Sequence, residues 1–264
     1  MKYNYEQIVS VLKSASLLGS EVIMNTFLKT DINISLKSEN NYVTDADINT
    51  ERVIIERIKK DFPNSGFICE ESGNQTSSDS DMSWIIDPID GTNNFISGYP
   101  HFCISIGVLI NDKLVSGSIF NPISNEFFHA VKGKGSFLNG KKIKVSSTKS
   151  LSDSILGTGF IMSDRNSIDI NLKNLNKLIK GIRSFRRSGS AALDLAYVAC
   201  GRLDGFWHLD LKPWDIAAGA ILVQEADGIV TGFRNEDFNL YSKDLLASNI
   251  NIHKEIMDGL FKNE

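Results

Sequence analysis

The sequence predicts an α/β protein in which a largely antiparallel half precedes a half that alternates strands and helices. Three observations carry this. Apolar residues recur at helical spacing through much of the first 62 positions, and strand-like runs separated by short turns fill 101–145. After residue 146 short strands and helices alternate, a pattern that favours parallel pairing. With 264 residues the chain suits one large domain or two closely packed halves, drawn here at 1–145 and 146–264.

Ile8, Val9, Leu12, Ala15, Leu18, Val22 and Ile23 recur at helical spacing over 5–27. Asp45, in VTDADIN, suits the cap of a second helix, in which Ile48, Val53, Ile54, Ile55 and Ile58 run up to Phe62-Pro63. A short strand over 66–69 delivers Glu70 and Glu71, and the polar segment 72–81 reads as a mobile loop. Strands follow over 83–87, 101–110 and 113–120, the last two joined at Asn111-Asp112. Runs over 126–131 and 135–145 extend the sheet, with Asn139-Gly140 as a turn. The second half offers strands over 155–160, 205–208, 228–231 and 246–248. Its helices are read over 171–182, in SGSAALDLAYVACG, in WDIAAGAILVQEADG and over 252–261.

Composition excludes some classes of function. Apolar residues make up 42% and charged residues 23%, ordinary for a globular protein, and the net charge of −4 gives no general reason to expect nucleic acid as a partner. Lys132, Lys134, Lys141, Lys142 and Lys144 read as a solvated hairpin. Cys69, Cys103 and Cys200 form no metal-ligand spacing and no disulfide framework, which points to reduced, mostly buried thiols and a cytoplasmic home. The N-terminal segment contains Glu6 and Gln7 and lacks the continuous apolar core of a signal peptide; no unbroken run approaches the roughly 18 apolar residues of a membrane span.

The stretch WIIDPIDGTNNF places Asp87 and Asp90 three positions apart where an apolar run ends. Two buried like charges are costly unless something positive lies between them. Asp47, Glu70, Glu71 and Asp215 also fall at element ends beside apolar residues. Carboxylates and carbonyls without nearby His or Cys suit a hard cation, Mg²⁺ or Mn²⁺. Several converging carboxylates would hold two ions, the arrangement of two-metal phosphoryl chemistry. Gly91-Thr92 follows at once; if a helix or turn begins there, its amides make an anion site and the Thr92 hydroxyl can orient water.

WIIDPIDGTNNF, FICEES and WDIAAGAILVQEADG closely resemble the three signature segments of the inositol monophosphatase family of Mg²⁺-dependent, lithium-sensitive phosphatases. The similarity also takes in VTDAD, GKGSFLNGKKIKVS and RRSGSAALDLAYVACGRLDGF, so it covers nearly the whole chain. It implies an αβαβα layered sandwich of the inositol monophosphatase and fructose-1,6-bisphosphatase type, assembled as a homodimer. By the same resemblance Glu70, Asp87 and the Ile89 carbonyl hold a first metal, and Asp87, Asp90 and Asp215 a second, with Glu70 helping to hold a looser third. Asp47 and Thr92 match the pair that positions the attacking water, and the amides of Gly91 and Thr92 match the phosphate contacts. Gly189, Ser190 and Ala191 match the segment lining the alcohol part of the substrate. The implied reaction is direct in-line hydrolysis of a small phosphorylated polyol or sugar, foremost inositol monophosphate, without a covalent phosphoenzyme.

One position departs from the pattern. His208 stands where inositol-specific members carry an acidic residue that accepts hydrogen bonds from ring hydroxyls. A neutral imidazole donates one hydrogen bond and accepts one, so His208 keeps a polyol within reach or marks a different leaving group. Asp210, two positions on, can replace the carboxylate if the strand is irregular there. Arg183, Arg186 and Arg187, before the SGSAA helix, suit either a second phosphate or structural ion pairs. The alternatives are therefore fructose 1,6-bisphosphate, phosphoadenosine phosphate or histidinol phosphate as substrate. From a different class comes an interaction protein of the transcription machinery, since some bacterial relatives associate with it independently of phosphatase activity.

Overall fold

Two helices open the chain, as the apolar spacing predicts. In the computed structural model, which describes residues 3–29, 34–38, 41–75 and 81–261, α1 (Tyr5–Thr26) starts at Asn4, whose side chain accepts from the Glu6 amide at 2.9 Å. Its buried face is Ile8, Val11, Leu12, Ala15, Gly19 and Ile23; Val11 and Gly19 take the places expected for Val9 and Leu18. By length and composition α1 meets the requirements of a membrane-crossing helix, which the search for an unbroken apolar run did not register. In the structure its apolar face packs on α2 (Asp45–Asp61) and the first large sheet. Between these helices β1 (Ile34–Ser38) and β2 (Asn41–Thr44) form an antiparallel pair that the sequence reading did not foresee.

The cap of α2 is Thr44, not Asp45. The Thr44 hydroxyl accepts from the Ala46 amide at 3.2 Å, and Asp47 reaches back to the Thr44 amide at 2.8 Å. Thr44-Ala46-Asp47 thus follow capping-box chemistry, in which the residue at the third helical position closes the box. Ile48 is 52% exposed and does not belong to the buried face.

Eight strands form the first large sheet: β3 (Gly66–Cys69), β4 (Gly73–Gln75), β5 (Met82–Asp90), β6 (Cys103–Ile110), β7 (Lys113–Asn121), β8 (Glu126–Val131), β9 (Gly135–Leu138) and β10 (Lys141–Ile143), with a short helix α3 (Thr92–Ile96) after β5. Their order is β10-β9-β8-β7-β6-β5-β3-β4. All neighbours are antiparallel except β3 and β5: β4 folds back along β3, and the chain then re-enters the sheet as β5 on the other side of β3 and in its direction. Asn111 and Asp112 both have positive φ, and so do Asn139 and Gly140, the backbone that two-residue hairpins require. The segment read as a mobile loop in fact begins with β4, and its residues 76–80 lie outside the described residues.

The second half adds β11 (Ile155–Thr158), α4 (Arg165–Leu178), β12 (Ser184–Arg186), α5 (Ala191–Ala199), β13 (Gly205–Leu209), α6 (Pro213–Glu225), β14 (Ile229–Thr231), β15 (Asp244–Ser248) and α7 (His253–Phe261). The five strands run in the order β12-β11-β13-β15-β14. Only β11 pairs in parallel, with β12 and β13; β15 is antiparallel to β13 and β14, so the expectation of a parallel sheet holds for part of it. Asp164 caps α4 through the Asn166 and Ser167 amides and starts it six residues earlier than expected, at Arg165 rather than Asn171.

The layers follow from three cores. α1 and α2 bury Leu12, Ile54 and Ile58 with Trp84 and Ile106 on the outer face of the first sheet. α5 and α6 lie between the sheets, where Ala196, Ala217 and Ile221 meet Ile85 and Phe128 on one side and Phe206 and Leu245 on the other. α4 and α7 cover the far face of the second sheet with Leu178, Ile256 and Leu260 over Trp207 and Leu246. The result is an αβαβα sandwich. α6 approaches the first sheet closely because Gly107 and Gly117 stand beneath it: a Cβ at Gly107 would lie 2.8 Å from Ala217 Cβ, and one at Gly117 2.8 Å from Ala218 Cα.

Candidate active site

Residues three apart on a regular strand point to opposite faces. Asp87 and Asp90 share a face because β5 breaks register between them: Asp87 pairs with Ser105 and Asp90 with Cys103, three steps on one strand against two on its neighbour. Pro88 brings no amide to the ladder at that bulge, and the Ile89 amide turns inward to donate to Asp87 Oδ1 at 3.0 Å. Asp215 arrives from α6, in the first turn of a helix opened by Pro213; its Oδ2 accepts from the Lys212 amide at 2.7 Å. Ser105 Oγ donates to the Trp214 carbonyl at 3.1 Å and ties that helix start to β6.

Carboxylate oxygens of Asp87, Asp90 and Asp215 lie within 4.8 Å of one another. At that range two buried charges repel by about 3–4 kcal/mol with an effective dielectric near 20. Burial, then Glu70, Asp90 and Asp215, push the Asp87 carboxyl well above the usual carboxylate range. Burial and the neighbours Asp90 and Glu70 do the same to Asp215. Asp90 is pushed up to about 6 by burial, against the opposing hydrogen bonds from Ser190 and Ala192. Glu70, just beyond β3, shares a side-chain hydrogen bond with Asp87. These residues fit a hard divalent cation: the donors are all oxygen, and their crowding is relieved by positive charge among them.

Beside the cluster, Thr92 Oγ1 lies 3.2 Å from Asp47 Oδ1 and 3.1 Å from the Ile89 carbonyl. Asp47 is fully buried, and its other oxygen accepts from the Thr44 amide and from the Thr44 hydroxyl at 2.6 Å. The Ile89 carbonyl, expected as a metal ligand, is the alternative acceptor for the single Thr92 hydroxyl proton. Gly91 has φ 101°, and a Cβ there would lie 3.1 Å from the His101 carbonyl and 3.3 Å from that of Gly189. Only glycine turns the chain into α3 at that spot without strain.

A cavity of about 360 Å³ opens over these groups, lined by Glu70, Asp90, Gly91, Thr92 and Asp215. Gly189, Ser190 and Ala191 line it as well, and so do His208 and Asp210. Burial, with Arg187 nearby, pushes the His208 imidazole down to about 4, so it is neutral at pH 7. Its Nδ1 lies 2.7 Å from the Leu209 carbonyl, which makes Nδ1 the protonated nitrogen and leaves Nε2 an acceptor. Asp210 has φ 57°, the irregularity that lets it reach the same cavity. Of the three arginines, Arg187 lines the cavity, whereas Arg186 bonds to Ser184 Oγ and the Phe185 carbonyl.

Asp194 and Tyr42 are among the lining residues that the sequence reading did not name. Asp194 on α5 accepts from Ser188 Oγ at 2.7 Å and is pushed up to about 7 by burial. Its signal was a lone carboxylate inside the small-residue helix AALDLAYVA. Tyr42 lies on β2, which had not been recognised as a strand.

A mixed layered fold, a bulge-borne aspartate pair and a helix-borne third carboxylate are the elements of an inositol monophosphatase-type architecture. The chain belongs to the inositol monophosphatase family, whose profile matches residues 4–263. It is 40% identical over 249 residues to a Pasteurella multocida protein named Nus factor SuhB, covering 94% of this chain and 93% of that one. The crystal structure of the extragenic suppressor protein suhB from Bartonella henselae superposes with a TM-score of 0.94 at 35% identity, covering 98% of this chain and all of that one (100%). An inositol monophosphatase from Anabaena superposes with a TM-score of 0.88 at 37% identity, covering 99% and 98% of the two chains.

Proposed function

We propose that the protein is a Mg²⁺-dependent phosphomonoesterase acting on a small polyol phosphate, foremost inositol monophosphate. The observation that carries this reading is the cluster of Asp87, Asp90 and Asp215 beside the Thr92–Asp47 pair, with Asp90, Thr92 and Asp215 lining the cavity. Asp87, Asp90, Asp215, Glu70 and the Ile89 carbonyl would hold two or three Mg²⁺ ions, with Mn²⁺ able to replace them. Such cations supply charge neutralisation for the phosphate and lower the pKa of water.

The chain's own groups supply the rest. Thr92 Oγ1 donates to Asp47 Oδ1 and so offers a lone pair to a water facing the phosphate. Oδ2 of Asp47 accepts the two Thr44 hydrogen bonds, and the carboxylate takes up the proton that passes through Thr92. The amides of Gly91 and Thr92 take the phosphate oxygens. Ser190 and the Ala192 amide fix Asp90 through its Oδ2 at 2.5 and 2.7 Å. His208 Nε2 accepts a hydroxyl proton from the alcohol portion, the role that a carboxylate fills in inositol-specific relatives.

Phosphate release with and without Mg²⁺ tests the reading, across inositol 1-phosphate, fructose 1,6-bisphosphate, phosphoadenosine phosphate and histidinol phosphate. The expected result is Mg²⁺-dependent turnover with inositol 1-phosphate as best substrate, inhibited by Li⁺. A strong preference for a bisphosphate would make Arg187 a second-phosphate contact and sink the polyol assignment. The homodimer and the cytoplasmic location rest on the family and on the cysteines, and gel filtration checks the first.

The relatives named Nus factor SuhB favour a second reading, a role in transcription. Under it the partner belongs to the transcription machinery, and the expectation of no nucleic acid near this chain gains no support from its relatives. Asp90→Asn separates the two readings: loss of the cellular role with loss of turnover supports the enzyme, and retention supports the interaction protein.

A further inference from the structure

Glu51 follows Asp47 by one turn on α2 and leaves only 2% of its surface exposed. Among the described residues no Lys, Arg or His forms an ion pair with it. Burying a carboxylate without a cation is costly unless hydrogen bonds offset the loss of water. Both of its oxygens serve one short turn: Oε2 accepts from the Glu71 amide and Oε1 from the Ser72 amide, each at 2.9 Å.

That turn comprises Glu70, Glu71 and Ser72, between Cys69 and Gly73, which pair across β3 and β4. Its remaining amide, that of Glu70, donates to the Ile86 carbonyl at 3.1 Å, one residue before Asp87. Every amide of the turn therefore has a partner, and two of the three partners are oxygens of Glu51. The backbone of Glu70 is gripped by β5 on one side and by α2 on the other. Its side chain lines the cavity and shares a hydrogen bond with Asp87. Asp47 and Glu51 lie on one face of α2, about 6 Å apart along its axis. One helix thus reaches both the Thr92 hydroxyl, 3.2 Å from Asp47 Oδ1, and the turn that carries Glu70.

From the grip of Glu51 on the Glu71 and Ser72 amides, we propose that Glu51 is a positioning residue for the metal centre: it fixes the turn that presents the Glu70 carboxylate to the cation. The inference rests on the reading of Glu70 as a metal ligand. Glu51 does not line the cavity and acts through Glu70. A ligand on a loose turn must be ordered when the cation binds, and that entropy lowers affinity; a ligand already held in place binds without it.

Calorimetric titration of Mg²⁺ into the metal-free full chain tests this, in a double-mutant cycle of Glu51→Gln and Glu70→Gln. Glutamine keeps the shape of Glu51 but turns an NH₂ group toward one of the two amides, donor against donor. Glu51→Gln should weaken the Mg²⁺ that Glu70 holds by about 10–100-fold, the range for groups that support a metal ligand. Added to Glu70→Gln it should weaken Mg²⁺ no further, because the ligand it positions is already gone. Native-like Mg²⁺ affinity in Glu51→Gln would overturn the proposal, and so would equal weakening in both backgrounds. A Glu51→Gln chain that does not fold without Mg²⁺ would make Glu51 a residue of the fold and overturn it as well. A native chain that takes up no Mg²⁺ would overturn it together with the metal reading. The expected pattern in a protein without turnover on any phosphate ester would support the role of Glu51 and sink the phosphatase reading alone.

Discussion

Ser190 Oγ lies 2.5 Å from Asp90 Oδ2, although 100 residues separate the two in the chain. Ser190 caps α5, and the Ala192 amide at the start of that helix donates to the same oxygen at 2.7 Å. A carboxylate that emerges from a bulge in the first sheet is thus aimed by a helix start from the second half of the fold. The contact opposes part of the upward push that burial and Glu70 give the Asp90 carboxyl.

Removing it should cost cation affinity before it costs the fold. In Ser190→Ala the Ala192 amide still holds Oδ2, but the cap on the Leu193 amide is lost as well. Mg²⁺ should bind about 10–100-fold more weakly, as when a supporting hydrogen bond is removed from a metal site. Thermal unfolding followed across a Mg²⁺ titration reads this directly, since a ligand that binds only the folded state stabilises it by RT ln(1 + [L]/Kd).

Thr92→Val keeps the shape of the side chain and removes the hydroxyl that bridges Asp47 and the Ile89 carbonyl. Turnover number should fall by about 10²–10⁴-fold, the range of general acid–base groups. The Mg²⁺-induced stabilisation should persist, because no carboxylate of the cluster is changed. A variant with near-native kcat would remove Thr92 from the reaction.

Gly91→Ala tests the backbone. With φ at 101° and two carbonyl oxygens 3.1 and 3.3 Å from the new methyl group, the substitution should destabilise the protein by about 1–3 kcal/mol. Denaturant unfolding with unchanged slope checks it. A change within experimental error would mean that the β5–α3 junction relaxes freely.

His253 governs part of the acid limb of stability. Its ring sits between Ser248 Oγ at 2.8 Å and Thr231 Oγ1 at 3.0 Å, and burial pushes it down to about 4 from an ordinary value near 6.5. Above pH 6.5 both folded and unfolded chains carry it neutral, and its contribution is complete. As pH falls from 6.5 to about 4 the unfolded chain takes up the proton first, so stability is lost across that window and no further below it. His253→Gln should flatten the drop in Tm between pH 6.5 and 4. Reading the difference between the two proteins cancels the carboxylates that titrate in the same range.

Much of this was legible in the sequence, and the rest was hidden for identifiable reasons. The α6 segment could be read because Asp215 stands at the start of its apolar run and Gly228 past its end, and the hairpins because Asn111-Asp112 and Asn139-Gly140 carry their turn chemistry openly. Asp87, Asp90 and Asp215 were named from their motifs, and the structure brings them together. Asp45 was mistaken for the α2 cap because Thr44 and Asp45 are both good caps. Only the reach of Asp47 back to Thr44 decides between them, a contact that depends on three-dimensional geometry. Strands β1, β2 and β12 are too short or too polar to show a period. Asp194 was missed because its burial comes from tertiary packing, which spacing along one helix does not report.

The two glycines beneath α6 give the reaction centre a hidden hereditary address. Asp215 rides on that helix, so its position opposite Asp90 depends on how deep the helix sits over Gly107 and Gly117. A methyl group at either glycine would lift the helix and reopen the carboxylate cluster without touching any signature motif. A descendant of this chain could therefore keep every carboxylate of the cluster and lose their arrangement through a single alanine in the interior.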